Sequence, residues 1–454
     1  MAHGLDGRVC PDASDDTLVG CWHGCNGAEQ QMRVILVAVV PLLFSALLMI
    51  AANGLLGTLL AVRMNLQGFD VGNIGIILAG YAVGFVLGAR FGPTWVARVG
   101  HIRAFAAFAA TASATALVHP IFVSEILWGL LRVSTGFSMA CLFSIIESWL
   151  NAKAPNALRG RVLSIYMVIN FTAFGGSQML LLTTSPAGYE LFSLVAILFA
   201  LSLVPLAISR VETPPPLAKN RLRIIEIIKI SPLGVAGCFA AGLINSAFNA
   251  MGPLYAQAID PSTAWIGYFM VTAIAGGLVL QVPMGRLSDI FDRRRVILGL
   301  GLAQIVIAFS MAVFGGLDET VLLVLLAVFG GLAYTLYPIS LSHANDFMEP
   351  SQLLPAAAAL LFCFGIGAAV GPIVAGQVMD LIGTWGLFAY IGAICVLLVL
   401  FTLWRMTKRA SLPNEDQGDF VAIFQTSPVA NELDPRYEPA EPAHDADLGK
   451  GQSN

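Results

Sequence analysis

Twelve continuous apolar runs divide this sequence, at approximately residues 34–61, 74–91, 104–123, 126–148, 162–184, 190–209, 232–257, 264–284, 296–316, 320–342, 355–379 and 384–404. The hydrocarbon core of a bilayer is about 30 Å thick and a helix needs roughly 20 apolar residues to cross it, so each run is long enough to span. Lipid offers no hydrogen bonds to a bare backbone, which restricts crossing segments to helices and closed barrels. The runs show no period-two alternation, so helices are predicted. Composition agrees: 57% of the residues are hydrophobic and 11% are charged, where a water-soluble protein carries about a quarter charged. The first run is too long for a cleaved signal peptide and has no small-residue cleavage site, so it is expected to remain as the first span.

The net charge of −4 matters less than where the charges fall. Of the 24 Lys and Arg, Arg63 lies in the loop after the first span and Arg132 lies within the fourth. The rest fall in the terminal segments or at alternate connections: Arg90, Arg98 and Arg103; Lys153, Arg159 and Arg161; Arg210 through Lys229; Arg286 through Arg295. Enrichment of short loops on one side is the positive-inside signal, so both termini and these connections are expected to be cytoplasmic.

Two six-span blocks are expected, 34–209 and 232–405, joined by a cytoplasmic linker at 210–231. The linker reads "RVETPPPLAKNRLRIIEIIKIS", a proline run followed by a short amphipathic interfacial helix. The N-terminal segment 1–33 and the acidic tail 406–454 are expected to be cytoplasmic and disordered. Cys10, Cys21, Cys25 and His23 do not have a usual zinc spacing, so no metal site is expected there, and Cys141, Cys238, Cys363 and Cys395 read as small core hydrophobes.

The two blocks match in detail. "GPTWVARVGHIRAF" joins spans two and three, and "MGRLSDIFDRRRVI" joins spans eight and nine. Gly175-Gly176 in span five and "GIGAAVGPIVAG" (365–376) in span eleven read as close helix-packing faces, pointing to a duplicated six-helix unit. The loop pattern G-x-L-a-D-r-x-G-[RK]-[RK] is matched by Gly285, Leu287, Ser288, Asp289, Arg293 and Arg294, with Asp292 where glycine is usual. Its first-half copy keeps Arg98, Gly100 and Arg103 but has Pro93 and Ala97 in place of the leading glycine and the aspartate. Span four carries Arg132-x-x-x-Gly136-x-x-x-Ala140. In these features, along residues 34–405, the sequence resembles the major facilitator superfamily. "IIESWLNAKAPNALRGRVLSIYMV" and "GGLAYTLYPISLSHAND" further resemble a bacterial branch called YcaD-like.

The resemblance implies an all-α membrane protein of twelve transmembrane helices in two pseudo-symmetric six-helix bundles, a monomer in the bacterial cytoplasmic (inner) membrane. It implies secondary active transport of a small-molecule substrate by alternating access, with the substrate near the midplane, protons as the coupling ion, no cofactor and no nucleic-acid partner. It also implies that Asp289 faces the N-terminus of span five, near Arg161 and Val162, while the loop arginines bind carboxylates such as Asp346. Together these contacts would latch the cytoplasmic side, asymmetrically because Ala97 replaces the other aspartate.

Polar residues inside apolar spans are the candidate site. A mid-span charge costs roughly 2.5–3.5 kcal/mol on insertion scales, and Arg132 sits about seven residues, or 10 Å of helix, from the extracellular end. It reads as an anion or substrate anchor or as a partner tuning a proton site, or else as a structural arginine bonded to backbone carbonyls and Asn53. Asn245 and Asn249 at i and i+4 of span seven, Tyr334 and Tyr337 in span ten, and Gln178 in span five suit a small amphipathic or polar organic molecule better than an inorganic ion. Such groups also glue helices together, at about 0.6–2 kcal/mol each. No carboxylate lies centrally in a span; Glu147 and Asp346 lie near the cytoplasmic ends of spans four and ten, at what read as matching positions. They serve either as titrating groups or as gate ion pairs, Glu147 with Arg98 or Arg103 and Asp346 with Arg293 or Arg294.

An enzyme is not expected, because His119 and His343 are isolated and no G-x-x-x-x-G-K-[ST] motif occurs. The rival readings are a transport-inactive sensor or scaffold of the same fold, and an uptake facilitator without ion coupling. Export is preferred over uptake, although the glycine-proline pattern of antiporters is absent from span five and only echoed at Gly367–Gly376 of span eleven.

Overall fold

A computed structural model describes residues 15–153, 158–208, 224–313, 318–349, 352–409, 417–418 and 420. Its helices are α1 (Asp15–Leu66), α2 (Val71–Val99), α3 (His101–Ile121), α4 (Glu125–Lys153), α5 (Arg159–Met179), α6 (Glu190–Ile208), α7 (Ile224–Ile230), α8 (Pro232–Ile259), α9 (Thr263–Ile290), α10 (Arg293–Val313), α11 (Glu319–Asn345), α12 (Leu353–Ile382) and α13 (Gly386–Lys408). All but α7 are long and apolar enough to cross a membrane, which makes twelve spans. Helix α1 begins upstream of the expected first span, and its apolar crossing part is Val39–Leu66. Most helices outrun the apolar runs: α9 continues through Arg286 and Asp289, and α11 through His343 and Asn345. Apolarity ends where the hydrocarbon ends, whereas helix propensity does not. The short helix expected in the linker is α7, while the Pro214–Pro216 run lies outside the described residues.

Helices α1–α6 form one bundle and α8–α13 the other, and most of the helix pairs that pack in one recur in the other. In α2 and α4, Gly84 and Gly136 are reciprocal: a Cβ on Gly84 would overlap the Val133 carbonyl, and one on Gly136 the Tyr81 carbonyl. In α9 and α11, Gly276 and Gly330 repeat this against the Ala327 and Ala273 carbonyls. Backbones in direct contact are how helices associate where lipid removes the hydrophobic drive between them. The repeat also fixes the register between halves. Glu147 then aligns with Leu341, so Asp346 lies more than a turn beyond the position it was expected to share. Arg132 aligns with Leu326, leaving the second bundle without a counterpart to its charge. Between α2 and α3 the chain turns on Gly100, at φ +86°, a conformation an L side chain rarely adopts.

The bundles meet along α2 with α12 and α5 with α9. We call the face bearing α7 the linker face and the other the far face. At the far face the seam is shut: a Cβ on Gly75 would overlap the Pro372 carbonyl, Gly72 abuts Gln377, and Asn65 Nδ2 donates to Gln257 Oε1 at 2.8 Å. Gly175 packs on Ile274, whereas a Cβ on Gly176 would meet nothing within 4 Å, so only one of that glycine pair is a packing face. In α12, Gly367 and Gly371 admit the α8 backbone while Gly376 admits that of α2. Outward-facing Val279, Val306, Phe309, Leu397 and Leu400 are exposed in the isolated chain and form an apolar surface that lipid would cover.

Candidate functional site

A cavity of about 160 Å³ lies at the seam, lined from both bundles. Asn53, Tyr81 and Arg132 reach it from α1, α2 and α4, and Asn245, Asn249 and Tyr334 from α8 and α11. Five of the sequence-predicted residues are therefore gathered at one place. None of the residues lining the cavity is Asp or Glu.

Arg132 is only 5% exposed, and its Cζ lies 4.7 Å from the centre of the Tyr81 ring, a cation–π arrangement. Gly80 and Gly84 bring α2 close to α4 and hold that ring where the guanidinium can lie over it. Neither Nε nor Nη1 of Arg132 has a hydrogen-bond partner among the described residues. The expected bond to Asn53 is not made. Asn53 Nδ2 instead donates to Tyr81 Oη at 3.3 Å, and its Oδ1 is buried without a partner. Across the seam, Tyr334 Oη donates to Asn249 Oδ1 at 2.7 Å, and Asn245 Nδ2 donates to the Ala333 carbonyl at 3.2 Å. These amides thus join α8 to α11 while presenting themselves to the cavity.

Two predicted residues lie elsewhere. Gln178 is buried between α1 and α5, where Thr58 Oγ1 donates to its Oε1 at 2.6 Å and its Nε2 donates to the Phe174 carbonyl at 3.1 Å. It clasps helices and is not part of the cavity lining. Tyr337, three residues from Tyr334, turns away to stack edge-on against Phe364, ring centres 5.1 Å apart. Tyr81 had not been singled out from the sequence; the only signal was an aromatic hydroxyl between glycines, in "GYAVG".

A second cluster lies at the linker face. Arg293, 1% exposed, donates from Nη1 to Asp346 Oδ1 at 2.5 Å and from Nη2 to Asp289 Oδ1 at 3.2 Å. Asp289 was expected to reach the start of α5. Its partners are Arg293 and a segment of the C-terminal tail: the Phe420 N–H donates to Asp289 Oδ1 at 2.9 Å, and the Phe420 ring lies against Gly285. The same segment gives Asp346 the Gly418 N–H at 3.2 Å and takes a hydrogen bond from Arg293 on the Gly418 carbonyl. Arg294 pairs with Asp292 at 2.8 Å. Burial alone would raise the Asp292 carboxyl, but the hydrogen bonds and charge of Arg294 outweigh it and hold the group below the usual carboxylate range.

In the first bundle the expected ion pair does not form. Arg98 and Arg103 are exposed and have no carboxylate partner among the described residues. Glu147 is fully buried in α4, and Tyr166 Oη donates to its Oε1 at 3.1 Å.

A family model of the Major Facilitator Superfamily matches residues 42–279 and 235–431. A protein described as "Uncharacterized MFS-type transporter YcaD" from Salmonella typhi is 25% identical over 374 residues, 82% of this chain and 97% of that one. Its namesake from Salmonella typhimurium (strain LT2) is 26% identical over 367 residues, 80% and 95% of the two chains. Among solved structures, the nucleoside transporter NupG matches with a TM-score of 0.69 at 16% identity, over 82% of this chain and 99% of that one. A bacterial homolog of the human lysosomal transporter Spinster, inward-facing and unoccupied, matches with a TM-score of 0.66 at 12% identity, over 89% and 99%. Likeness at such identity speaks for the fold alone.

Proposed function

Because the chain belongs to the major facilitator superfamily, we propose that it is a secondary active transporter that carries a small organic solute by alternating access, coupled to protons and working in the export direction. The observation that supports this most is the cavity of about 160 Å³ at the seam, lined from both bundles beneath a shut far face. A site shared by two rigid units is what rocking of one against the other would expose alternately. The basic loops support a cytoplasmic linker face, which in this reading makes the shut face the outer one. In this reading Arg293, Asp289 and Asp346 form the cytoplasmic gate, with Arg294 fixing the loop, while Arg98 serves topology.

Proton coupling needs a carboxyl that titrates between access states, and the cavity lining has none. Glu147 fits: it is fully buried, it is bonded by the Tyr166 hydroxyl, and it lies on the same helix as Arg132. Glu147→Gln is expected to abolish flux driven by a pH gradient while sparing solute exchange at equal pH. Equal loss of both would remove Glu147 from coupling.

Melting-temperature screening of metabolites and drugs on purified protein, followed by pH-gradient-driven flux in proteoliposomes, tests the function itself. A second reading, a transport-inactive sensor or scaffold, draws support from the tail segment seated on Asp289 and Asp346. Saturable binding with no flux in either direction would decide for it.

A further inference from the structure

We infer that the ligand of the central cavity is an organic monoanion of about one ring in size, its carboxylate seated on Arg132 and a hydrogen-bond donor beside that carboxylate facing Asn53. This deepens the transport reading and rests on it.

Charge sets the sign of the ligand. Arg132 is 95% buried by its 5% exposure, and none of the residues lining the cavity is Asp or Glu. Its helix carries two carboxyls, neither in the cavity lining. Glu125 is exposed at the far-face end, seven residues or about 10 Å away, and accepts from Asn73 Nδ2 at 3.1 Å, while Glu147 is fifteen residues or about 22 Å away in the other direction and is hydrogen-bonded by Tyr166. A buried cation without a counter-ion is strongly unfavourable, and a guanidinium stays charged at any accessible pH. Tyr81 compensates in part through its ring face, which leaves the in-plane donors unspent, and Nε and Nη1 have no partner. A guanidinium edge is a planar fork that fits the two oxygens of a carboxylate. One cation favours one negative charge.

The neighbouring atoms set the rest. Asn53 Oδ1 is a buried acceptor with no donor, because the amide is oriented by its bond to Tyr81. A hydroxyl or N–H beside the ligand's carboxylate would supply it. Most of the remaining wall is apolar, with Phe85, Phe143, Phe174, Met270, Leu361 and Phe364, and it is interrupted by Thr58, Ser246 and the already bonded Asn245, Asn249 and Tyr334. An apolar cavity of about 150 Å³ accommodates benzene; the space here is about 160 Å³. Aryl or branched-chain carboxylic acids, hydroxylated next to the carboxylate, fit these conditions. Cations and multiply charged phosphates do not.

The test uses purified full-length protein and matched acid–amide pairs: benzoate and benzamide, phenylacetate and phenylacetamide, mandelate and mandelamide. The acids should raise Tm in a dose-dependent way, mandelate more than phenylacetate because of its hydroxyl, while the amides leave Tm unchanged. Arg132→Gln should weaken acid binding roughly 10–100-fold, the range for loss of a charge-assisted hydrogen bond, with Arg132→Lys retaining part of it. Amides as effective as acids, a panel in which no acid shifts Tm, or acid binding unchanged in Arg132→Gln would each overturn the inference. If the Gln variant is not recovered folded, the acid–amide comparison on the native protein still decides. Flux separates this from the parent reading: acid binding without transport contradicts the transporter and leaves the site, whereas transport of neutral or cationic solutes alone contradicts the anion and leaves the transporter.

Discussion

Valine in place of Gly75 should stop transport while leaving both six-helix bundles folded. Gly75 faces the other bundle across the far-face seam, where an added Cβ would overlap the Pro372 carbonyl and lie 3.2 Å from the Cα of Gly376. Both obstacles are backbone, so no side chain can swing aside. Only a shift of one bundle relieves the overlap, and the cost exists only while the far face is shut. Overpacking typically costs about 1–3 kcal/mol, which moves an open–closed equilibrium roughly 5–150-fold towards the far-face-open state. A cysteine at Ser246, on the cavity wall, reports the shift, because a membrane-impermeant thiol reagent added from the far face should label it faster in the valine variant. Undiminished flux and unchanged labelling would mean that closure at this seam is not part of the cycle.

The second large effect is expected at the linker face. Arg293→Ala leaves Asp346, 3% exposed, without the guanidinium bonded to it at 2.5 Å. Removing one member of a buried ion pair costs about 3–5 kcal/mol, most of it the burial of the surviving charge. Folded protein surviving a heat step, read by size-exclusion chromatography, should fall sharply in Arg293→Ala and recover largely in Arg293→Ala/Asp346→Ala. Asp289→Asn should be mild, at about 1 kcal/mol or less, since that carboxylate is 36% exposed and an exposed pair contributes little. A double variant no more stable than the single one would show that Arg293 stabilises this face through its tail contacts and not through Asp346.

The number and order of the spans could be read from the chain because lipid imposes a length on each crossing segment, and the basic loops punctuated them. Arg132, Asn53, Asn245, Asn249 and Tyr334 were visible for the same reason: each is a polar exception in an apolar run. Gln178 is an equal exception, but its amide is spent on Thr58 and Phe174. A sequence shows that a buried polar group needs a partner and not whether a neighbouring helix supplies it. Tyr334 and Tyr337 lie three residues apart, which leaves them about 60° apart around the helix, enough to send one to the cavity and the other to Phe364. The pairing of Arg293 with Asp346 followed from opposite charges at the ends of adjacent spans. The bond from Phe420 to Asp289, across 131 residues, left no trace in any local pattern. Glu147 was expected to be a partner for Arg98 or Arg103, but it is buried beside Tyr166 while those arginines face outward, a matter of helix rotation that charge counting does not capture.

In the proposed cycle the two bundles rock about the cavity so that one face opens as the other shuts. Spin-label distances report that motion, with one pair at Asp70 and Asp380 on the far face and another at Arg161 and Arg286 on the linker face, all exposed positions. Two distance populations are expected for each pair, and a change of pH or addition of mandelate should lengthen one pair while shortening the other. A single distance for each pair, unmoved under every condition, would mean that the bundles do not rock.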